Sequence, residues 1–459
     1  MSFFTSLWSL ALFTLFSLSS CAPLQTREAM PRQLGSDKLV FAHFMMGIVS
    51  NRESSADYDA DMARAKAAGI DAFALNIGTD DYTDKQLGFA YESAATHDMK
   101  VFISFDFNYW STAEGAQVGQ KIAQYADHPG QLKVDGKVFA SSFVGDGLDV
   151  AAVRSGAGQE IYFAPNFRPG FGTDLRPVDA ALSWMAWDSD GNNRAPTAGR
   201  NVTVPDADEV YKSSLGSNDY IAPVSPWFFT HFGASSGYPK NWVFPSDLLW
   251  FERWNDILTL NARFLEILTW NDYGESHYIG PLSSKHTDDG SSAWTNDMPH
   301  DGWLDMAKPF IAAWKSGSND LASNIESEQL IYWYRTTSKT QPCNDALGQP
   351  DGADHMADSV FVVTLLKSDA EVTISSGDNS QTFQAKAGAF AFTVPMGLGK
   401  QTFSVARNGA SVDGLSGASS RDIVDYHEGD IYNFNAYVGT LPAANGQTWQ
   451  DTNMSTMLG

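Results

Sequence analysis

From Lys38 to about Lys315 the chain alternates short apolar runs with polar stretches of helical rhythm. The apolar runs Leu39–Phe44, Asp71–Asn76, Lys100–Asp106, Val138–Val144, Glu160–Ala164, Ala181–Trp187, Tyr220–Val224 and Phe264–Trp270 predict strands. The intervening stretches Ala56–Ala68, Asp84–Asp98, Glu114–Asp127, Asp206–Ser214 and Pro245–Asn261 carry apolar residues at helical spacing and predict amphipathic helices. Near-continuous apolar strands separated by helices describe a parallel sheet covered on both faces. Eight such units in roughly 250 residues match a (β/α)8 barrel, which we place at 38–316. A doubly wound open sheet is the alternative. Val134-Asp135-Gly136-Lys137 predicts a hairpin insertion before the fourth strand.

The rhythm changes after Ser316–Ser323. The runs Leu330–Thr336, Ser359–Leu366, Glu371–Ser375, Gln381–Lys386, Ala389–Val394, Gln401–Arg407 and Ile431–Val438 alternate polar and apolar positions between glycine-bearing turns. That is the pattern of an antiparallel β-sandwich, expected over 326–455. A chain of 459 residues is long enough for two such domains.

Charge and composition narrow the function. The net charge of −24 argues against nucleic acid and against an anionic membrane surface. The chain holds 14 Trp, 16 Tyr and 29 Phe, enough to fill cores and still line a sugar-binding cleft. Leu7–Leu18 followed by Ser19, Ser20, Cys21 and Ala22 reads as a secretory signal over 1–22, although the usual basic residues before it are missing. No later run is long enough to span a membrane. Cys21 lies at the expected cleavage site, which leaves Cys343 unpaired and no disulfide framework. The sequons at Asn201 and Asn453 are candidate glycosylation sites in a secreted chain.

In a barrel the chemistry sits where strands end. Here those ends carry His43, Asn76, Asp106, Tyr109, Trp110, Asp146, Trp187, Asp188, Trp227, His231 and Trp270-Asn271-Asp272-Tyr273-Gly274-Glu275-Ser276-His277. Any single strand-end Asp can be a helix cap. Acids, amides and imidazoles interleaved with Trp around one rim suit a saccharide better. Glycoside hydrolysis needs a carboxylic acid to protonate the leaving oxygen and a second carboxylate as base or nucleophile. Asp272 and Glu275, three residues apart around Gly274, are the candidate pair, with Gly274 expected to let the chain turn both acids into one cleft. The competing reading is a helix-capping box. Gly233-Ala234-Ser235-Ser236-Gly237 matches a nucleophile elbow, yet Tyr238-Pro239 follows where a helix should start.

The string Trp270 to Tyr278 (WNDYGESHY) with Ile279-Gly280-Pro281 resembles the signature of fungal α-1,3-glucanases, the mutanases of glycoside hydrolase family 71. Supporting strings are Val40–Met45, Asp71–Asn76, Phe102–Asp106 and Pro223–His231. The resemblance implies a (β/α)8 barrel beside a β-sandwich and endo-hydrolysis of α-1,3-glucan with inversion, without metal or organic cofactor. It implies catalytic roles for Asp272, Glu275 and Asp106. The residues do not derive which carboxylate is the acid; the expectation adopted is Glu275 as acid and Asp272 as base, standing roughly 6.5–9.5 Å apart. Substrate contacts are expected from His43, Asn76, Tyr109, Trp110, Asp146, Trp187, Asp188, Trp227, His231, Trp270, Asn271, Tyr273 and His277. The expected partner is α-1,3-glucan, met by a monomer outside the cell or in the cell wall. The alternatives are a glycan-binding protein without catalysis and a barrel glycosidase for another linkage.

Overall fold

The computed structural model describes residues 38–318 and 320–443. The expected signal segment 1–22 and Asn453 lie outside the described residues.

Eight parallel strands form the first sheet: β1 Leu39–Met45, β2 Ala72–Ile77, β3 Lys100–Asp106, β4 Lys137–Phe143, β5 Ile161–Pro165, β6 Ala180–Leu182, β7 Asp219–Val224 and β8 Phe264–Ile267. Their order is β5-β4-β3-β2-β1-β8-β7-β6, every neighbouring pair parallel. The sheet is curled: the amide of Asp179, just before β6, donates to the carbonyl of Phe163 in β5 at 2.9 Å. The amide of Phe163 donates back to the Asp179 carboxylate at 3.0 Å. Phe41, Phe102, Phe139, Tyr162 and Phe264 fill the space inside the curl. Helices Ala56–Ala67, Thr83–Thr96, Gly115–Tyr125, Val150–Ala157, Val204–Leu215 and Leu249–Thr259 cover the outside. Residues 166–179, between β5 and β6, contain no helix. Before β4, Lys133–Val134 pairs antiparallel with Lys137–Val138. Asp135 and Gly136 between them both have positive φ, the geometry of a tight hairpin turn.

Two expected strands end early. β6 stops at Leu182 because the Ser183 hydroxyl takes the amide of Met185, which turns the chain. β8 stops at Ile267, after which Thr269 and Trp270 bond to residues 277–280 of the same loop.

Two antiparallel sheets follow. One has the order Gly388–Pro395, Ser359–Leu366, Gln329–Tyr334, Tyr437–Leu441. The other joins Asn379–Ala385, Ala370–Ser376 and Gln401–Arg407, with two short strands added. Leu330, Tyr332 and Tyr334 meet the second sheet in one apolar core. Ile331 and Trp333, on the opposite face by strand alternation, join the core of the first sheet and helix Asp301–Ser316. The described residues form one compact unit. The strand expected at Ile431–Val438 lies at Tyr437–Leu441 instead; Glu428–Asp430 is a 3-10 turn, and the carbonyl of Phe434 accepts the Trp227 indole rather than a ladder bond.

Candidate active site

The loop after β8 is pinned before it reaches the cleft. The Asn271 side chain docks on Met45 as a strand would: its amide oxygen accepts the Met45 amide at 2.7 Å and its nitrogen donates to the Met45 carbonyl at 3.2 Å. The Trp270 indole donates to Asp61 at 3.0 Å, and Asp61 is paired with the buried Arg52. The Asp272 amide donates to the Thr269 hydroxyl at 2.9 Å, and the Glu275 amide donates to the Asp272 carboxylate at 3.1 Å. That last bond is half of a capping box. No helix follows, and the Asp272 amide is already taken by Thr269, so the box is not completed. Both acid side chains keep 18% of their surface open to the cleft.

Gly274 serves close packing here, not a left-handed turn. The left-handed residue is Ser276, with φ 59°. A Cβ on Gly274 would stand 3.0 Å from both the Phe232 ring and the Asp289 carboxylate, so the glycine permits close packing.

Charge is concentrated around Glu275. One carboxylate oxygen lies 2.5 Å from Nζ of Lys240, and the other lies 3.2 Å from Nε2 of His277. The same Nε2 is 3.5 Å from Asp272. Burial pushes the Glu275 carboxyl up, but Lys240 and His277 outweigh it and hold the group down to about 2. Burial likewise pushes His277 down, yet Asp272 and Glu275 carry it to about 9. Asp272, Glu275 and His277 therefore form a carboxylate–imidazolium–carboxylate set. One ligating atom from each lies within 4.8 Å of the others. A metal would need that imidazole neutral; the two cations already present satisfy the carboxylates.

These acids open into a cleft of about 620 Å³. Its walls include His43, Asn76, Asp106, Tyr109, Trp184, Tyr238, Lys240, Asp272, Tyr273 and Glu275. Asp106 closes β3 and accepts the Asn108 amide at 2.9 Å. Its burial raises its carboxyl above the ordinary range, against the opposing effects of Asn108, His43 and Asn76. His43 bonds through Nδ1 to the buried Glu266 at 2.7 Å, and its ring meets Trp184 edge-on at 4.8 Å.

Of the residues expected to touch substrate, His43, Asn76, Tyr109 and Tyr273 line this cleft. The others are placed differently. Trp187, Trp227 and Trp270 are buried in cores, with indoles donating to Trp227, Phe434 and Asp61 respectively. Trp110 donates to the Gly78 carbonyl and packs edge-on against Phe105. Asp146 is bound by Arg168 and Thr173. Asp188 accepts the Val204 amide in the first turn of a helix whose N-cap is Thr203. His231 is paired with Asp345 at 2.9 Å, while Asn271 and His277 act behind the cleft wall. Asn201 is exposed. The segment Gly233–Gly237 is the tip of a hairpin between Phe229–Phe232 and Lys240–Val243, which removes it as a nucleophile elbow.

Nothing in the sequence pattern singles out Lys240, Tyr238 or Trp184 as cleft residues. Trp184 sits inside an expected strand. Lys240 is brought in by a hairpin whose only signal is alternation on either side of a glycine-rich tip.

The family model for glycosyl hydrolase family 71 matches residues 36–451. A mutanase of Penicillium rubens is 42% identical over 451 residues, 96% of this chain and 98% of the relative. The glucan endo-1,3-alpha-glucosidase agn1 of Schizosaccharomyces pombe is 39% identical over 436 residues, 90% of this chain and 97% of the relative. Among solved structures, a GH99 endo-alpha-mannosidase of Bacteroides thetaiotaomicron shares 13% identity with a TM-score of 0.43, covering 61% of this chain and 98% of its own.

Proposed function

The chain belongs to glycosyl hydrolase family 71, and from that premise we propose that Asp272 and Glu275 cleave α-1,3-glucan in the cleft they open into. The protein is a glycoside hydrolase that acts on α-1,3-glucan. The observation that carries the site assignment is the pair Asp272 and Glu275 facing one cleft, bridged from behind by His277, with Asp106 on the same lining.

In the inverting reading, Glu275 gives its proton to the glycosidic oxygen as that bond breaks. A water attacks the anomeric carbon from the opposite face and loses a proton to Asp272. One water is consumed, and the new reducing end has the β configuration. Asp106, whose burial favours its neutral form, supplies a hydrogen bond to the sugar being distorted. A second reading is favoured by one distance: an oxygen of Asp272 and one of Glu275 lie within 4.8 Å, close to the spacing of a retaining pair. In that case Asp272 attacks the anomeric carbon as Glu275 protonates the leaving oxygen, a water deprotonated by Glu275 then hydrolyses the glycosyl–Asp272 ester, and the product keeps the α configuration.

Incubation with insoluble α-1,3-glucan beside α-1,4- and β-1,3-glucans, read by reducing ends, tests the substrate. Proton NMR of the first product separates the two readings: a β-anomer supports inversion and an α-anomer overturns it. We further read the curled sheet as a (β/α)8 barrel over 38–316 and the antiparallel sheets as an accessory sandwich over 326–455. The protein is proposed to be a secreted monomer, which amino-terminal sequencing and light scattering of the mature form check.

A further inference from the structure

Three contacts from one hairpin converge on Gly274 and Glu275. The Phe229 amide donates to the Glu275 backbone carbonyl at 3.0 Å. The Phe232 ring packs closely against Gly274, where a Cβ would stand 3.0 Å from it. Nζ of Lys240 lies 2.5 Å from the Glu275 carboxylate. Phe232 and Lys240 are directly paired across the hairpin, so the ring and the ammonium approach the same turn from one place.

The hairpin is in turn braced by residues from beyond the parallel sheet. Nε2 of His231 lies 2.9 Å from the Asp345 carboxylate. The Asn241 side chain donates to the carbonyls of Leu347 and Gly348 at 3.2 Å. The Val243 amide donates to the Asp351 carbonyl at 2.9 Å, and the Asp351 amide donates to the Asn241 carbonyl at 3.1 Å. An ammonium on a free loop would move with its carboxylate. This one is held from behind, which makes it a fixed charge.

We infer that Lys240 is a positioning residue for the hydrolysis: from this braced hairpin it aims the Glu275 carboxylate and sets the pH at which that group takes its proton. The inference rests on the proposed role of Glu275. The charged and titratable groups around Glu275 are Asp272 and His277 from its own loop, Lys240 and Tyr238 from the hairpin, and Asp289 beside Gly274. Of these, only Lys240 and His277 oppose protonation of Glu275. Lys240 is also one-third exposed at the cleft. A glucan hydroxyl arriving there can take the ammonium as hydrogen-bond donor. Glu275 then gains a proton from solvent, and burial, which favours the neutral form, keeps it there until the glycosidic oxygen accepts it.

The test compares pH profiles of kcat/KM for the unaltered enzyme, Lys240→Gln and Lys240→Arg on soluble α-1,3-linked oligosaccharides, with folding checked by circular dichroism. Removing an opposite charge at this distance should raise the governing pKa by about one unit or more. With Glu275 as acid, the alkaline limb of Lys240→Gln moves to higher pH by that amount, and Lys240→Arg restores its position whatever its kcat. If the acidic limb moves up instead, Lys240 keeps its role while the acid assignment of Glu275 fails. If neither limb moves in a folded Lys240→Gln, the inference is overturned. Should Lys240→Gln not fold, Lys240→Met and the Lys240→Arg profile carry the same comparison.

Discussion

At Glu275 two opposing effects meet in one side chain. Burial favours the acid form that protonates a leaving group, and two cations, Lys240 and His277, favour the base form. Replacement by Gln keeps the shape and the backbone bonds of the loop while removing the transferable proton. Glu275→Gln is expected to keep its circular dichroism and lose at least about a hundredfold in kcat, the usual scale of lost acid–base catalysis; near-normal turnover would falsify the role. His277 supports a separate prediction on stability. Its pKa is raised from 6.5 in the unfolded chain to about 9 in the fold. A group with a raised folded pKa adds stability that is complete below about 6.5 and is lost as pH climbs towards 9. Thermal melts should therefore show the midpoint falling between those pH values, and falling less in His277→Gln. Equal slopes in the two proteins would mean that the imidazole is not charged in the fold.

The elements that hold these residues were legible to different degrees. The eight parallel strands announce themselves because both faces are buried and their text is nearly unbroken by polar residues. Helix Val150–Ala157 was not marked in the sequence, for its eight residues give barely two turns of periodicity. Helix Asp301–Ser316 was not marked either; Pro309 sits inside it, and it is apolar on most sides, which blurs the stripe. The rim tryptophans mislead for a related reason. A large ring beside a strand end is as useful for closing the core over that end as for stacking on a sugar, and sequence spacing does not distinguish the two. Trp227 and Trp270 went to the core; Trp184, inside an expected strand, came to the cleft. The hairpin Phe229–Val243 depends on a partner more than 100 residues away, which no local pattern reports. It makes a prediction at this scale. Asp345→Ala removes the carboxylate that faces buried His231 and accepts the amides of Leu347 and Tyr432, and should cost about 1–3 kcal/mol. It should also lower kcat by releasing the hairpin that carries Lys240. A drop in melting temperature with unchanged kcat would separate the brace from the chemistry.

Across the whole molecule, the strand Gln329–Tyr334 has a different core on each face. Leu330, Tyr332 and Tyr334 belong to the core between the antiparallel sheets, and Ile331 and Trp333 belong to that of the parallel sheet and helix Asp301–Ser316. The Trp333 indole also donates to the Asp247 carbonyl at 2.8 Å, just before helix Leu249–Thr259. A joint made of buried side chains and a partly buried hydrogen bond does not open at low cost. The two halves should therefore unfold together, in one calorimetric transition whose van't Hoff and measured enthalpies agree. Truncating Trp333 to Ala removes a large buried ring at the joint and should cost about 3–5 kcal/mol. The consequence depends on how the halves are coupled. If they are one cooperative unit, the single transition moves down in temperature and activity is lost in step with it. If they are separate, the melt splits, with the antiparallel sheets leaving first and turnover persisting until the parallel sheet goes. The brace on the Lys240 hairpin favours the first outcome, since its donors and acceptors at 345–351 lie in the chain that follows Trp333. An enzyme still active above a first, separate transition would show that the cleft needs nothing from that half.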